Sequence, residues 1–510
     1  MLGSSSDRDY GTLPDKGRLE KKRFATKRTC GFSVAFGALT CVLLFVGTAI
    51  SYPASTAEQF DFIVIGAGSA GLSAAKAARN FGARVLVIEE DRLGGTCVNR
   101  GCIPKKLMHN VALSAKNIRE AGAFGFTASM QGFNFSSTKR ARDEHIAAIN
   151  RGTAKDIQRR GIVLVRGHGR FVDEDGTIEV NGRHFRAKTT LIAAGCRGKI
   201  PSNVRGAELG ITYEGFFKLK ELPKKVAIVG SGLIALETAG IFSQLGVETH
   251  HFIRKNTLLN RWDRSISLEM TRSFEANPLQ QLHKSTSVVS LDQHKGSTRL
   301  HYTQDNKKKS ISVDVVLWAI GLQPNSDDLG LQYVTVKTDS DGYVLVDKFQ
   351  QTSNKNMYAG GDISGKFHQY APAAIKAGSI TARRLFGQGN PDDIVRYENI
   401  PAAVFSFPEV GRVGLSEEEA REKYGASEVR IIEKKSPSYL YSATQLSQNN
   451  LIKQVCVGSD FKVVGLHMIA PAASEIVQGF GPAMDKGLTR ADLKSAYPLH
   501  PTDAEGVLYA

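Results

Sequence analysis

Two cysteines five positions apart stand in the stretch Gly94-Gly95-Thr96-Cys97-Val98-Asn99-Arg100-Gly101-Cys102-Ile103-Pro104-Lys105-Lys106. A Cys-x4-Cys pair at the start of a helix can close a small disulfide, and on reduction the helix N-terminus and a nearby lysine favour a thiolate. Alone, such a pair reads equally as a structural bridge or as two buried thiols, so its surroundings decide. It follows a hydrophobic strand, Val85-Leu86-Val87-Ile88, that ends in Glu89 and closes a strand–helix–strand unit whose turn reads Gly66-Ala67-Gly68-Ser69-Ala70-Gly71. Glycines at 66, 68 and 71 let the backbone turn tightly and approach a pyrophosphate, while Glu89 can hold ribose hydroxyls. A second turn of the same kind, Gly230-Ser231-Gly232-Leu233-Ile234-Ala235, follows the strand Lys225-Val226-Ala227-Ile228-Val229. Two dinucleotide sites with a dithiol between them predict a redox relay ending on a disulfide.

The elements that must position these residues are strands and helices in alternation. Phe60-Asp61-Phe62-Ile63-Val64-Ile65 reads as a buried parallel strand, with a helix from the glycine turn to about Phe81. At the second turn an NAD site would place a carboxylate at the end of the second strand; here the chain reads His250-His251-Phe252-Ile253-Arg254-Lys255. Cations there suit a 2′-phosphate, which predicts NADPH over NADH. At 510 residues, 42% hydrophobic and 23% charged, the chain is expected to hold several folded domains. Six cysteines are too sparse for a disulfide framework, so the clustered pair stands apart. The net charge of +16 comes without a basic helix, zinc pattern or aromatic RNA-binding motif, and neither nucleic acid nor a metal is expected. Steering of polyanionic small molecules accounts for the charge, as does a solvated basic surface.

From about Phe60 to Glu505 the sequence resembles the flavoprotein disulfide reductases, the class I pyridine nucleotide-disulfide oxidoreductases. The resemblance implies an α/β fold with two Rossmann-like domains, for FAD and NADPH, and a C-terminal α+β dimerisation domain. The expected boundaries are 58–205 for the FAD domain with its dithiol, 206–345 for NADPH, 346–396 for a return to the FAD domain, and 397–510 for the interface domain. Leu191-Ile192-Ala193-Ala194-Gly195 resembles the segment closing the FAD domain, and Trp318-Ala319-Ile320-Gly321-Leu322-Gln323-Pro324-Asn325 a family motif with Leu322 in place of an arginine. By the same resemblance, FAD contacts fall to Gly66, Gly68, Ser69, Gly71, Glu89, Gly95, Thr96, Cys97, Lys105 and the Asp362 of Gly360-Gly361-Asp362. NADPH contacts fall to Gly230, Gly232, Ile234, Glu237, Arg254, Lys255, Arg261 and Gly321, with Asn260 where relatives carry a second arginine.

The implied mechanism gives Cys102 the thiolate against the flavin, Cys97 the attack on substrate, and Lys105–Glu237 an ion pair beside the flavin. His500-Pro501-Thr502-Asp503-Ala504-Glu505 matches the motif that reaches a partner's active site in a homodimer, with His500 as acid–base and Glu505 orienting it. Glutathione disulfide is the expected substrate, Lys76 meeting a carboxylate and His145 replacing a substrate-contacting tyrosine. Leu233 and Ser379 depart from the pattern at a nicotinamide-covering tyrosine and a carboxylate-binding arginine. The alternatives are a trypanothione-like or thioredoxin-like disulfide, or a membrane-tethered FAD/NADPH-binding protein without turnover.

Residues 1–30 are basic, with Lys21-Lys22-Arg23 and Lys27-Arg28 preceding an uncharged apolar run from Gly31 to Ile50. At ~1.5 Å per residue that run spans about 30 Å, one bilayer crossing. Positive charge then places the N-terminus in the cytoplasm. The competing expectation is a signal or organelle-targeting sequence, with Ala54-Ser55-Thr56-Ala57 as small residues for cleavage.

Overall fold

In a computed structural model, the structure describes residues 57–365, 369–387, 389–390, 393–446 and 448–510, all within one compact unit, Ser55–Ala510. The expected basic segment 1–30 and membrane or targeting segment 31–50 lie outside the described residues. Among the described residues no helix is long and apolar enough to cross a membrane.

The fold is α/β. It begins with β1 (Glu58–Ile65), α1 (Ser69–Asn80) and β2 (Val85–Glu89), continues through α2 (Gly95–Arg100), α3 (Cys102–Glu120) and α4 (Phe135–Arg159), and adds β3 (Val163–Arg166), β4 (Arg170–Phe171), β5 (Ile178–Val180) and β6 (Arg183–Ile192). These strands form one sheet in the order β3-β2-β1-β6-β5-β4. Its centre is parallel and buried on both faces, which is why β1 and β2 are continuous apolar runs. Alternation still sorts the side chains. Phe62, Val64, Val85 and Val87 face Ala70, Ala74 and Ala78 of α1, while Ile63, Ile65, Leu86 and Ile88 face Phe171, Leu329 and Val344 on the other side. The alanines let α1 lie close to the sheet.

The second nucleotide-type unit follows β7 (Cys196–Gly198) and α5 (Tyr213–Lys218) with β8 (Lys225–Val229), α6 (Leu233–Gln244), β9 (Glu248–Phe252), α7 (Arg264–Glu275) and β10 (Gln280–His283). An antiparallel excursion, β11 (Thr286–His294), β12 (Ser297–Gln304) and β13 (Lys307–Val313), precedes β14 (Val315–Trp318). The parallel order is β10-β9-β8-β14. Helix α6 is buried from Ala235 to Gln244, as its apolar sequence on every face requires. The chain then recrosses by β15 (Leu322–Pro324), antiparallel to β7, and β16 (Met357–Ala359) rejoins the first sheet beside β6. Helix α8 (Ala371–Phe386) covers α1.

The C-terminal unit is antiparallel, β17 (Ala402–Val404), β18 (Val410–Gly414), β19 (Val429–Pro437), β20 (Asn449–Val457) and β21 (Lys462–Ile469), in the order β17-β18-β21-β20-β19. Helices α9 (Glu417–Tyr424), α10 (Ala473–Asp485), α11 (Arg490–Ser495) and α12 (Gly506–Tyr509) accompany it. Helix α3 touches all three units. Arg119 donates to Gln244 Oε1 and backbone O of α6 at 2.6 and 2.7 Å. Buried His109 meets Glu409 at 3.4 Å and stacks on Phe407, and Glu120 accepts from Tyr441 at 2.9 Å.

A candidate dithiol site between two dinucleotide turns

Helix α2 carries Cys97, and a break at Gly101 restarts the chain so that Cys102 is the first residue of α3. The sequence places the pair at the start of one helix; two short-spaced helices present it instead. Buried Asn99, between the cysteines, holds this turn. Its amide donates to the backbone oxygens of Leu93 and Gly95 at 3.0 and 2.9 Å and its carbonyl accepts from Asn150 of α4 at 3.1 Å. Sequence reasoning passed over Asn99, although a short polar residue inside the motif was the available signal.

Both thiols are free and are polarised in one direction. The Cys102 thiol is drawn down to about 7, chiefly by the hydrogen bond from Cys97 and then by the Lys105 charge, against burial. The Cys97 thiol is pushed up, first by that same bond and then by burial. Cys102 is thus the thiolate and Cys97 the proton-bearing donor. Lys105, one turn further on, pairs with Glu237 of α6 at 2.7 Å. Glu237 is 3% exposed and also accepts from the Phe405 backbone N–H at 3.0 Å. Both Lys105 and Lys106 place their ammonium groups 4.0 Å from the centre of the Phe405 ring.

The residues around the dithiol fit FAD. Gly95 has φ 57, and a Cβ there would come within 2.7 Å of Gly68 Cα, so two backbones meet where a pyrophosphate must approach. Gly66 and Gly68 make the turn ahead of α1, whose first residue is Ser69 and whose first turn holds buried Gly71. Buried Glu89 accepts from the N–H groups of Ala67 and Asp91 at 2.7 and 2.8 Å, and burial raises its carboxyl. The Asp362 carboxyl is pushed up to about 6 by burial alone. It needs hydroxyl donors, and a ribityl chain carries them. Gly66, Gly68, Ser69, Gly71, Glu89, Gly95, Thr96, Lys105 and Asp362 would hold the flavin nucleotide.

The second turn is built alike. Gly230 has φ 141, and a Cβ there would lie 2.1 Å from Ala319 O. His251 is fully buried, its Nε2 2.6 Å from Gly230 O, and burial lowers its imidazole to about 4. The two histidines before Arg254 are core groups. The cationic character lies with Arg254 and Lys255, exposed beyond β9 without an ion-pair partner among the described residues. Arg261 is exposed next to Trp262, on which Arg412 stacks at 4.6 Å. With Gly232, Ile234 and Gly321 these residues would hold NADPH, and Arg254 and Lys255 fit its 2′-phosphate.

His500 and Glu505 form a pair, Nδ1 to Oε2 at 2.9 Å, with the His500 side chain 68% exposed. The tail packs on its own unit, Gln454 of β20 donating to Val507 O at 2.6 Å. Within the described chain nothing joins His500 to the dithiol. Lys76 lies on α1 with its side chain 34% exposed. It pairs with Asp156 of α4 at 2.9 Å, and Asp156 also receives Arg159 and Arg160. Its charge is met internally, a contact across 80 residues that the sequence hides. His145 is exposed on α4. Leu233 opens α6 and Ser379 sits on α8.

Such an arrangement defines a nicotinamide-linked dithiol oxidoreductase. The chain belongs to the pyridine nucleotide-disulphide oxidoreductases: the family model matches residues 60–378, and that of the family's dimerisation domain residues 400–510. It is 38% identical over 461 residues to a glutathione reductase of Schizosaccharomyces pombe, covering 89% of this chain and 98% of the relative. A glutathione reductase of Yarrowia lipolytica is 37% identical over 461 residues, at 88% and 98% coverage.

Proposed function

We propose that this chain reduces glutathione disulfide with NADPH, through bound FAD and the Cys97–Cys102 dithiol, as a homodimer. One hydride from NADPH and one proton become the two thiol hydrogens of two glutathiones, and the disulfide bond is broken. When bound, FAD supplies the two-electron exchange between nicotinamide and sulfur. The protein's own groups do the rest. The Cys97 thiol passes its proton to His500 of the partner subunit as its sulfur attacks the substrate disulfide, forming a mixed disulfide and expelling one glutathione thiolate, which takes that proton back from His500 of the partner subunit. The Cys102 thiolate then attacks Cys97 sulfur, releasing the second glutathione and closing the Cys97–Cys102 bond. Lys105 favours the Cys102 anion, and Glu237 holds Lys105 in place.

The observation that carries this reading is the polarised dithiol beside an ion pair that joins the two nucleotide units. A trans role for His500 is supported by its exposure and by the exposed Tyr497 (98%), Leu499 (78%) and Tyr509 (58%) of the same tail, apolar surface suited to a second copy. Residues 1–50 direct the enzyme to or across a membrane, as an anchor or as an address.

The experiment is steady-state NADPH oxidation by the FAD-loaded chain with glutathione disulfide, trypanothione disulfide, oxidised thioredoxin and lipoamide. Strong preference for glutathione disulfide supports the assignment; turnover of another disulfide with glutathione inert overturns it. Because Asp156 already neutralises Lys76, Lys76→Ala is expected to change the KM for glutathione disulfide by less than about two-fold.

A further inference from the structure

Glu505 has two carboxylate oxygens and two donors. One oxygen holds His500 Nδ1 at 2.9 Å, and the other, Oε1, accepts from the Tyr439 hydroxyl at 2.8 Å. Tyr439 does not belong to the core. Its side chain is half exposed, and its ring stands at 87° to the imidazole with centroids 6.4 Å apart. Its position is set by backbone instead. Asp503 accepts from the Tyr439 N–H and from Asn450 Nδ2 at 3.0 and 2.8 Å through one oxygen, and from the buried Ser438 hydroxyl at 3.0 Å through the other. The loop after β19 is thereby fastened to the tail that carries His500. A large aromatic that buries little and is held so firmly makes its contribution through its hydroxyl.

We propose that Tyr439 is a positioning residue of the acid–base pair: by donating its hydroxyl hydrogen to Glu505, it takes up part of the carboxylate's charge and limits how strongly Glu505 stabilises the His500 imidazolium. The proposal rests on His500 being the proton donor. A carboxylate shared between two donors offers each less than it would offer one alone, so removing the phenol strengthens its hold on the imidazolium. Glu505 is held below the usual carboxylate range by His500 first and Tyr439 second. The phenol is raised above the usual tyrosine value by Glu505. The other charges facing the group are Asp503 and Tyr509 near the phenol and Lys434 near Glu505. All three remain when Tyr439 alone is changed.

The test is Tyr439→Phe in the full FAD-loaded chain, which keeps the ring and removes the hydroxyl. The pH dependence of kcat/KM for glutathione disulfide is compared with that of the unaltered enzyme, and the rate of flavin reduction by NADPH reports that the fold and the first half-reaction are intact. The alkaline limb is expected to move up by about half a unit to one unit. In a Glu505→Gln background the same substitution should move it no further. A limb that stays or moves down in Tyr439→Phe, or that moves equally without the Glu505 carboxylate, overturns the proposal. If the unaltered enzyme does not turn over glutathione disulfide, the proposed substrate is wrong, and the comparison is made with the disulfide that it does reduce.

Discussion

Replacing Glu237 by alanine removes, among the described residues, the acceptor of both the Lys105 ammonium and the Phe405 N–H. Lys105 is 16% exposed and Glu237 3%, so the pair is almost fully desolvated. Removing one partner of a buried pair costs about 3–5 kcal/mol, and an orphaned backbone N–H adds about 1–3 kcal/mol. Lys105 recovers some of this by swinging toward water along the Phe405 ring, so a loss of about 4 kcal/mol is expected for Glu237→Ala. The double substitution Lys105→Met with Glu237→Leu removes both charges and fills their volume, and replacements of that kind are often neutral in stability. It should therefore regain most of the lost stability while flavin reduction by NADPH stays slow. The assay is urea unfolding of the FAD-loaded protein, with stopped-flow flavin bleaching run in parallel. A Glu237→Ala cost below about 1 kcal/mol would refute the buried-clamp argument. Wild-type flavin reduction in the double variant would refute a role for the pair in the chemistry.

Two further outcomes follow from the site. With the two cysteines reduced, alkylation of Cys102 should rise with pH through a midpoint near 7; since the Cys97 hydrogen bond is the largest cause, Cys97→Ala should lift that midpoint to about 9 or above, cutting the thiolate present at pH 7 roughly fifty-fold. Cys97→Ser, which keeps a donor, should fall between, and an unmoved midpoint in Cys97→Ala would show that another group holds the anion. Gly95→Ala puts a Cβ within 2.7 Å of Gly68 Cα at a positive φ, and is expected to lower the FAD-to-protein ratio of the purified enzyme severalfold; full flavin content, read from visible absorbance, would contradict it.

What the sequence made legible was local. Strand Lys225–Val229 has the boundaries its residues suggest, and α1 ends at Asn80, beside the expected Phe81. Both nucleotide turns, the dithiol and the pairing of His500 with Glu505 are short-range patterns, written in consecutive residues. Of the contacts between distant elements, the Lys105–Glu237 pair was expected from the family resemblance and stands at 2.7 Å; the others were not legible. Lys76 and Asp156 lie on different helices, and no periodicity in either helix announces their meeting. Tyr439 escaped because it sits in a loop, where neither burial nor repeat marks it. The break at Gly101 escaped for another reason: one short helix hands over to the next at a single residue, and only backbone geometry separates two such helices from one. In His250-His251-Phe252-Ile253-Arg254-Lys255 the sequence does not say which side chains reach solvent: both histidines are buried, and Arg254 and Lys255 are the exposed cations.

Helix α3 runs from Cys102 past Lys105, His109, Lys116 and Arg119 to Glu120, and between them these residues reach Glu237 and Gln244 of α6, Glu409 and Tyr441. This architecture resists being treated as interchangeable modules. A chimera that imports a foreign nicotinamide unit must bring Glu237 and Gln244 in register, and one that imports a foreign C-terminal unit must supply counterparts of Phe405, Glu409 and Tyr441. Recombination between relatives should therefore succeed when crossovers keep α3 with its partners on α6 and in the β17–β18 connection. Crossovers that separate them should yield proteins that fold in parts and fail at the cysteines.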